Sequence, residues 1–390
     1  MCYRSSSSVN SQAPAPKRVI NHEHEHALSA ITEEAPNSVT NEDGSVNYGI
    51  YRGRISNANV VPGNLPFPFW GPLSQLRHKK WQFHALDTDE LYLTMAVLQA
   101  GYVTKAVCLL YIKKQGAAYA LDGTAPLSFG LASFGGSSID STIPIVYQYG
   151  NNTLSFSYVE NSHWMIQGSL LLTNLKEMGK SLRCDFDLSL TDAHGSRDQL
   201  SLVFPFTNFS PAYTHKAMCL DTSGTLSLGN TDNRYSLNGQ RGSLDWTSVY
   251  APYLTRWRWL FVSGLTQDGK RFGLNLSSDD HYDDKENALW IDGTLILTGG
   301  VSFTLPTDDL LADPNDLTSW TVASTHHTSP VQIRVTFHPE FKKFVPMSTG
   351  IVDSKYLQLL GTMAGEITAE GITHRITGAF GTAERQLCLW

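Results

Sequence analysis

Apolar residues in this sequence recur with a period of two. Trp81-Gln82-Phe83-His84-Ala85-Leu86, Leu91-Tyr92-Leu93-Thr94-Met95 and residues 106–113 all alternate, and successive side chains point to opposite faces in an extended strand. Further short runs follow at 143–149, 154–159, 165–172 and 182–190, separated by clusters of Gly, Asn and Asp. Helical periodicity is weak throughout; residues 356–360 read equally as helix or strand. Strands at this spacing predict a sandwich or a barrel. The 31 Gly, 16 Tyr, 17 Phe and 9 Trp agree with that, because aromatic side chains pack well on a pleated surface.

At 390 residues the chain is long for one domain. Phe204-Pro205-Phe206-Thr207-Asn208-Phe209-Ser210-Pro211 interrupts the strand series, which restarts at 224–228, 255–263, 272–276, 288–297, 333–338 and 363–368. The expectation is an all-β chain of two antiparallel β-barrel or sandwich domains, residues 46–210 and 211–390, behind a disordered tail, 1–45. Residues 365–367 and 373–376 flank Ala369-Glu370-Gly371 and should form a hairpin. The tail is rich in Ser, Pro, Asn and Glu, with too few apolar groups to fold alone. Its His22-Glu23-His24-Glu25-His26 would share a strand face suited to a metal. No further ligand sits nearby in sequence, so a solvated tail segment is the expected reading.

Charged residues are 17% of the chain and the formal net charge is -7, so no basic field exists to hold nucleic acid. The five cysteines, Cys2, Cys108, Cys184, Cys219 and Cys388, are odd in number and scattered. They show neither a disulfide framework nor metal-ligand spacing. The N-terminal stretch is polar and broken by Pro, and no run of about 18 apolar residues could span a bilayer. A cytoplasmic protein with reduced thiols, without metal or transmembrane segment, is expected. GxSxG, P-loop, GxGxxG and HExxH patterns are absent, which disfavours the common hydrolase, kinase, dinucleotide and zincin readings.

The densest chemistry lies at Gly242-Ser243-Leu244-Asp245-Trp246-Thr247, then Tyr250 and Tyr253, then Thr255-Arg256-Trp257-Arg258-Trp259-Leu260-Phe261. In a strand Trp257, Trp259 and Phe261 face one side, Arg256 and Arg258 the other. Indoles lining a cavity would hold an apolar ligand and stabilise developing positive charge. Arginines there would clamp a carboxylate or phosphate. A plain core with surface arginines is the third arrangement this pattern allows. Asp245, between Leu244 and Trp246, would be a general acid if burial kept it protonated; a turn or cap carboxylate is its ordinary role. Glu286-Asn287 leads directly into an apolar strand and, at a barrel mouth, could orient a ligand or water. The Asp cluster before it lacks the spacing of a calcium loop, and His281 within it reads as an exposed loop residue. Thr325-His326-His327-Thr328 has no partner ligands in sequence.

These blocks carry a resemblance. Trp81 with Asp87-Thr88-Asp89 and Gly101-Tyr102-Val103 resemble the N-terminal signature of the bacterial domain-of-unknown-function family 2804. The segments 242–247, 255–259, Gly273-Leu274-Asn275-Leu276, Glu286-Asn287-Ala288-Leu289-Trp290-Ile291-Asp292-Gly293 and 381–390 resemble its C-terminal half, in order, over about residues 50–390. Ser248-Val249 stands where the family pattern leads one to expect Arg-Gly, so no arginine is carried over there. The resemblance implies a two-domain lipocalin-like architecture, similar to carotenoid 1,2-hydratases and lipocalin-type Diels–Alderases. Those resemble one another in fold more than in residues, so no catalytic residue carries over.

The expectation is a cofactor-independent enzyme that hydrates, isomerises or cyclises a lipophilic, isoprenoid or polyene-like molecule by proton transfer. Asp245, Glu286 and Asn287 are its candidate catalytic residues; Trp246, Tyr253, Arg256, Trp257, Arg258, Trp259, Asn275 and Trp290 are candidate ligand contacts. Its cavity would lie between the two barrels or in the mouth of the second. A carrier of a fatty or isoprenoid acid held by Arg256 or Arg258, and a structural or partner-binding β protein, are the alternatives.

Overall fold

The computed structural model describes residues 33–63, 71–126, 132–160, 163–177, 179–192, 198–207, 210–229, 234–279, 284–306, 317–329, 331–348 and 353–389. The His22–His26 cluster and His281 lie outside them. In chain order the strands are β1 (Gly49–Arg52), β2 (His78–Asp87), β3 (Leu91–Gln99), β4 (Val103–Ile112), β5 (Ala117–Pro126), β6 (Ile145–Tyr149), β7 (Asn152–Val159), β8 (His163–Asn174), β9 (Ser181–Thr191), β10 (Leu200–Thr207), β11 (Ser210–Leu228), β12 (Arg234–Ser236), β13 (Gly239–Tyr250), β14 (Leu254–Leu265), β15 (Arg271–Asp279), β16 (Ala288–Ile291), β17 (Thr294–Leu297), β18 (Val301–Thr304), β19 (Trp320–Ser324), β20 (Val331–Ser348), β21 (Asp353–Ala369) and β22 (Ile372–Leu389).

Strands β1 to β13 form one antiparallel sheet and β14 to β22 a second. In the first, the pairings β11-β13-β2-β3-β4-β5-β8-β9 return to β11 and close an eight-stranded barrel. Closure removes the exposed edge that an open sheet would present. The second sheet runs β17-β16-β15-β14-β22-β21-β20-β19-β18. The chain is all-β and lipocalin-like, as its alternating pattern predicts, and residues 356–360 resolve as strand within β21. The hairpin at 369–372 is formed, with Glu370 at φ 52° and Gly371 at φ 78°. Positive φ at both central residues is the two-residue turn that matches strand twist.

Alternation sorts the side chains into three layers. Leu86, Leu93, Trp164 and Trp246 fill the first barrel. Leu260, Val262, Val335 and Leu359 fill the concave side of the second sheet. Phe83, Leu109, Met218, Trp259, Phe261 and Leu360, on the outward faces, meet between the two sheets. Phe83 packs edge-on against Trp259 and Phe261, with ring centroids 5.4 and 5.9 Å apart.

Two boundaries differ from expectation. The chain changes sheet at residues 251–253, not at 204–211, so β11 and β13 belong to the first barrel rather than to a second domain. Phe204–Thr207 end β10 and Ser210–Pro211 begin β11; the two strands pair antiparallel, with a register shift between Pro205 and Thr207. Proline and bulges punctuate strands as well as linkers, which is why the segment resembles a boundary. The tail also ends earlier. Residues 33–48 lie along the first sheet, bridged at Glu34–Arg52 and Ser38–Asn57, and Val39 is fully buried.

The long strands β20 to β22 bend where Pro339, Gly361 and Gly381 lie side by side. A Cβ on Gly361 would stand 2.1 Å from the His338 carbonyl oxygen, and one on Gly381 2.5 Å from Val262. The bend directs one half of each strand around the second core and the other half against the first barrel. Gly361→Ala should therefore cost roughly 1–3 kcal/mol of stability by overpacking, read as a lowered urea midpoint. Gly371→Ala meets open space but must hold φ 78°, so it should cost about 1–2 kcal/mol through backbone strain alone and leave the bend intact.

Candidate active site

A cavity of about 260 Å³ lies between the outward faces of the two sheets, near the lower end of small-molecule sites. It is lined mainly by apolar groups, including Leu98, Val107, Val249 and Met347. Two cross-strand rows of residues close its inner end. On the first sheet, Lys216, Asp245, Phe83 and Ala96 are neighbours across β11, β13, β2 and β3. On the second, Ser277, Trp259, Glu384 and Gln358 are neighbours across β15, β14, β22 and β21.

Asp245 is not in the apolar pocket its sequence neighbours suggest. Leu244 and Trp246 point the other way, into the barrel. The Lys216 ammonium lies 3.0 Å from Asp245 Oδ1 and 3.2 Å from Glu286 Oε2. The Thr214 hydroxyl donates to Oδ1 at 3.3 Å and the Trp81 indole N–H to Oδ2 at 3.3 Å. All three charged groups are buried. Burial alone would lower the lysine's pKa, but the two carboxylates hold it above its ordinary value. This carboxylate is thus an acceptor for a fixed cation, an arrangement poorly suited to donating a proton.

The Glu384 carboxyl has a different environment, outside the ion pairs of the wall. Burial pushes its carboxyl up to about 7, and the nearby Asp245 charge adds to the rise, against hydrogen bonds that favour the ionised form. The Tyr356 hydroxyl donates to Oε1 at 2.5 Å, the Gln358 amide to Oε1 at 3.2 Å and the Trp257 indole to Oε2 at 3.5 Å. Ser277 Oγ and Gln358 Oε1, both buried in the cavity wall, have no hydrogen-bond partner among the described residues. Buried polar atoms are ordinarily satisfied, so these two mark where a ligand group or water would be held.

The structure places the candidate ligand contacts in three groups. Trp257, Trp259 and Arg256 line the cavity together with Asp245 and Glu286. Asn275 and Asn287 brace the wall. Asn275 accepts from Trp259 Nε1 at 2.8 Å and donates to the Glu286 carbonyl at 2.7 Å. Asn287 accepts from the Ser277 N–H at 2.6 Å and donates to the Ser277 and Gly299 carbonyls, both at 3.1 Å. Its amide is consumed in holding the loop, not in facing a ligand. Trp246, Arg258, Tyr253 and Trp290 are outside the lining. Trp246 packs on Tyr213 inside the first barrel, Tyr253 is exposed, and Trp290 Nε1 donates to the Asp198 carbonyl at 2.6 Å. Lys216 and Glu384 were missed by sequence reasoning. Lys216 follows Thr214 and His215, and Glu384 precedes Arg385 and Gln386, so polar neighbours mask both in the sequence.

Fold and cavity together define a two-sheet, lipocalin-like β protein with a buried ionic wall at the sheet junction. The chain belongs to the DUF2804 family, a domain of unknown function whose pattern matches residues 29–390. No curated protein matches it. Among solved structures, CghA with Sch210972 superimposes with a TM-score of 0.50 at 12% identity, covering 86% of this chain and 97% of the other. An AttH-type protein from Nitrosomonas europaea gives 0.46 at 14% identity over 85% and 98%. Kievitone hydratase from Nectria haematococca gives 0.43 at 10% over 91% and 98%. At these identities the likeness is one of fold.

Removing the cation of the ionic wall should expose its role in stability. Lys216→Met leaves the buried Asp245 and Glu286 carboxylates without their shared partner and should cost roughly 3–5 kcal/mol. Asp245→Ala, which leaves Lys216 paired with Glu286, should cost less, and denaturation of the two variants measures the difference directly.

Proposed function

We propose that the protein is an enzyme acting on a lipophilic small molecule, isoprenoid or polyene-like, by proton-initiated hydration, isomerisation or cyclisation in the cavity between its sheets. The observation that carries this reading is Glu384, a buried carboxyl near half-protonation at neutral pH, bordering an apolar cavity beside two indoles. A proton from the Glu384 carboxyl passes to one carbon of an alkene, leaving positive charge on its neighbour. The faces of Trp257 and Trp259 attract that charge, and the surplus of carboxylates around Lys216 stabilises it electrostatically.

The cation is then discharged in one of three ways. Water adds its oxygen and returns a proton to the Glu384 carboxylate; a different C–H proton returns to it; or an internal alkene closes a ring before that proton is lost. In each case the acid is regenerated and no electrons leave the substrate. Gln358 Oε1 and Ser277 Oγ are the polar atoms available to orient water or a substrate hydroxyl. Within this reading Asp245 and Glu286 hold charge in place and Glu384 moves the proton.

Organic extraction of purified protein, followed by a screen of the recovered compound and its relatives, supplies the substrate. On it, Glu384→Gln should lower turnover by roughly 10²–10⁴-fold with little change in ligand affinity. Turnover of the wild type should fall as pH rises through about 7, where Glu384 loses its proton. Full activity in Glu384→Gln sinks the assignment.

A second measurement needs no substrate. The folded Glu384 titrates near 7, above the unfolded value of about 4.3, so the native state binds the extra proton between them. Its stability contribution is complete below the lower value and is lost as pH rises through the upper. From about pH 5 to about pH 8, Glu384→Gln should therefore gain on the wild type by on the order of 3 kcal/mol, as followed by denaturant midpoints.

A further inference from the structure

The cavity changes character along its length. Its inner end carries the ionic wall and Glu384. Four residues along from Asp245 on β13, and from Phe83 on β2, are Val249 and Lys79, which are paired neighbours. At a strand rise near 3.3 Å per residue the two ends are about 13 Å apart. On the second sheet Thr255 and Ser354 lie four residues along from Trp259 on β14 and from Gln358 on β21, and Arg256 and Lys105 also line the cavity. Among the described lining residues the three carboxylates all sit at the inner end; the outer end carries cations.

Lys79 is 1% exposed, and its ammonium is fixed in place. It donates to the Leu76 carbonyl at 3.0 Å and the Ala100 carbonyl at 2.7 Å, and stands 4.8 Å over the Tyr102 ring. Burial and the neighbouring Arg77 bring its pKa down to about 7, so an arriving anion would favour its charged form. Arg256 is exposed at the rim. Between the two ends the wall is mainly apolar, with Trp81, Trp257, Val107 and Val345 beside the polar groups of Thr247, Tyr356 and Gln386.

We propose that the substrate is an amphiphile with a carboxylate head group, held at Lys79 and Arg256, whose hydrocarbon chain runs inward to present its reacting carbons to Glu384. This rests on the cavity being the reaction site. The separation of the ends then sets which part of the molecule reacts. Positive charge develops among the carboxylates while the permanent negative charge stays with the cations, so head and reacting centre cannot exchange places without two like-charge encounters.

Tryptophan fluorescence of the full chain, titrated near neutral pH with dodecanoic acid, its methyl ester and dodecylamine, tests this. The acid should bind roughly tenfold or more tightly than either analogue, the range expected for hydrogen bonds to a charged group. Arg256→Gln, at an exposed side chain, should weaken the acid and leave the ester unchanged; Lys79→Gln should reduce the preference further. An ester or amine that binds as tightly as the acid overturns the assignment, and so does an acid preference that survives both substitutions. Glu384→Gln separates the two readings. Loss of acid preference in a protein whose turnover still depends on Glu384 removes the head-group site alone. Acid preference in a protein whose turnover ignores Glu384 keeps that site and removes the acid.

Discussion

A cation buried between two carboxylates ties the halves of this molecule together. Lys216 and Asp245 belong to the first barrel, whereas Glu286 stands in the β15–β16 connection of the second sheet. Taking such charges out of water is costly, and the attraction returns that cost only when geometry is good and further hydrogen bonds complete the set. Thr214 and Trp81 supply those bonds to Asp245. The result fixes the spacing of the two sheets at one point while the apolar contact of Phe83 with Trp259 and Phe261 fixes it beside that point. The cavity is what remains where the faces diverge.

That divergence follows from strand curvature. A sheet long enough to enclose its own core and also to lie against a neighbour must bend between the two tasks. In β20 to β22 the bend falls at Pro339, Gly361 and Gly381, where a missing N–H and missing Cβ atoms permit close backbone approach. In β11 it falls around Cys219, which has φ 59°, between the halves that pair with β13 and β9. Arg271 of the second sheet donates to the Cys219 carbonyl at that corner and pairs with Asp221 at 3.0 Å, so the bend itself is a contact between sheets.

The site uses the outward faces of both sheets, not a barrel interior. This explains why it can hold many charged groups: Lys216, Asp245, Glu286 and Glu384 lie in this layer, whereas the buried His84 and His215 of the first sheet are held neutral by burial. It also gives each ionisable group a separate environment. Lys216 is kept charged by its partners, Glu384 is made hard to ionise by burial, and Lys79 is made easy to discharge by burial at the opposite end. Two carboxyl groups in one cavity with different surroundings can take different roles.

Much of the fold was legible in the chain. Period-two alternation is local, so it predicted strands, the Glu370-Gly371 turn and the shared face of Trp257, Trp259 and Phe261. Alternation states which residues share a face, but not what that face meets. The sequence alone therefore left open whether tryptophans or arginines line the cavity, and it made Asp245 an isolated acid and Phe204–Pro211 a boundary. Those answers depend on partners far away in sequence. Lys216 lies 29 residues from Asp245, and Glu384 reaches Trp257 across 127. The sequence by itself determined an all-β chain with strongly patterned faces, because side-chain direction is set residue by residue. Tertiary structure decided which carboxylate is paired with a cation and which is made hard to ionise by burial, because ionisation depends on burial and on charges that folding brings together.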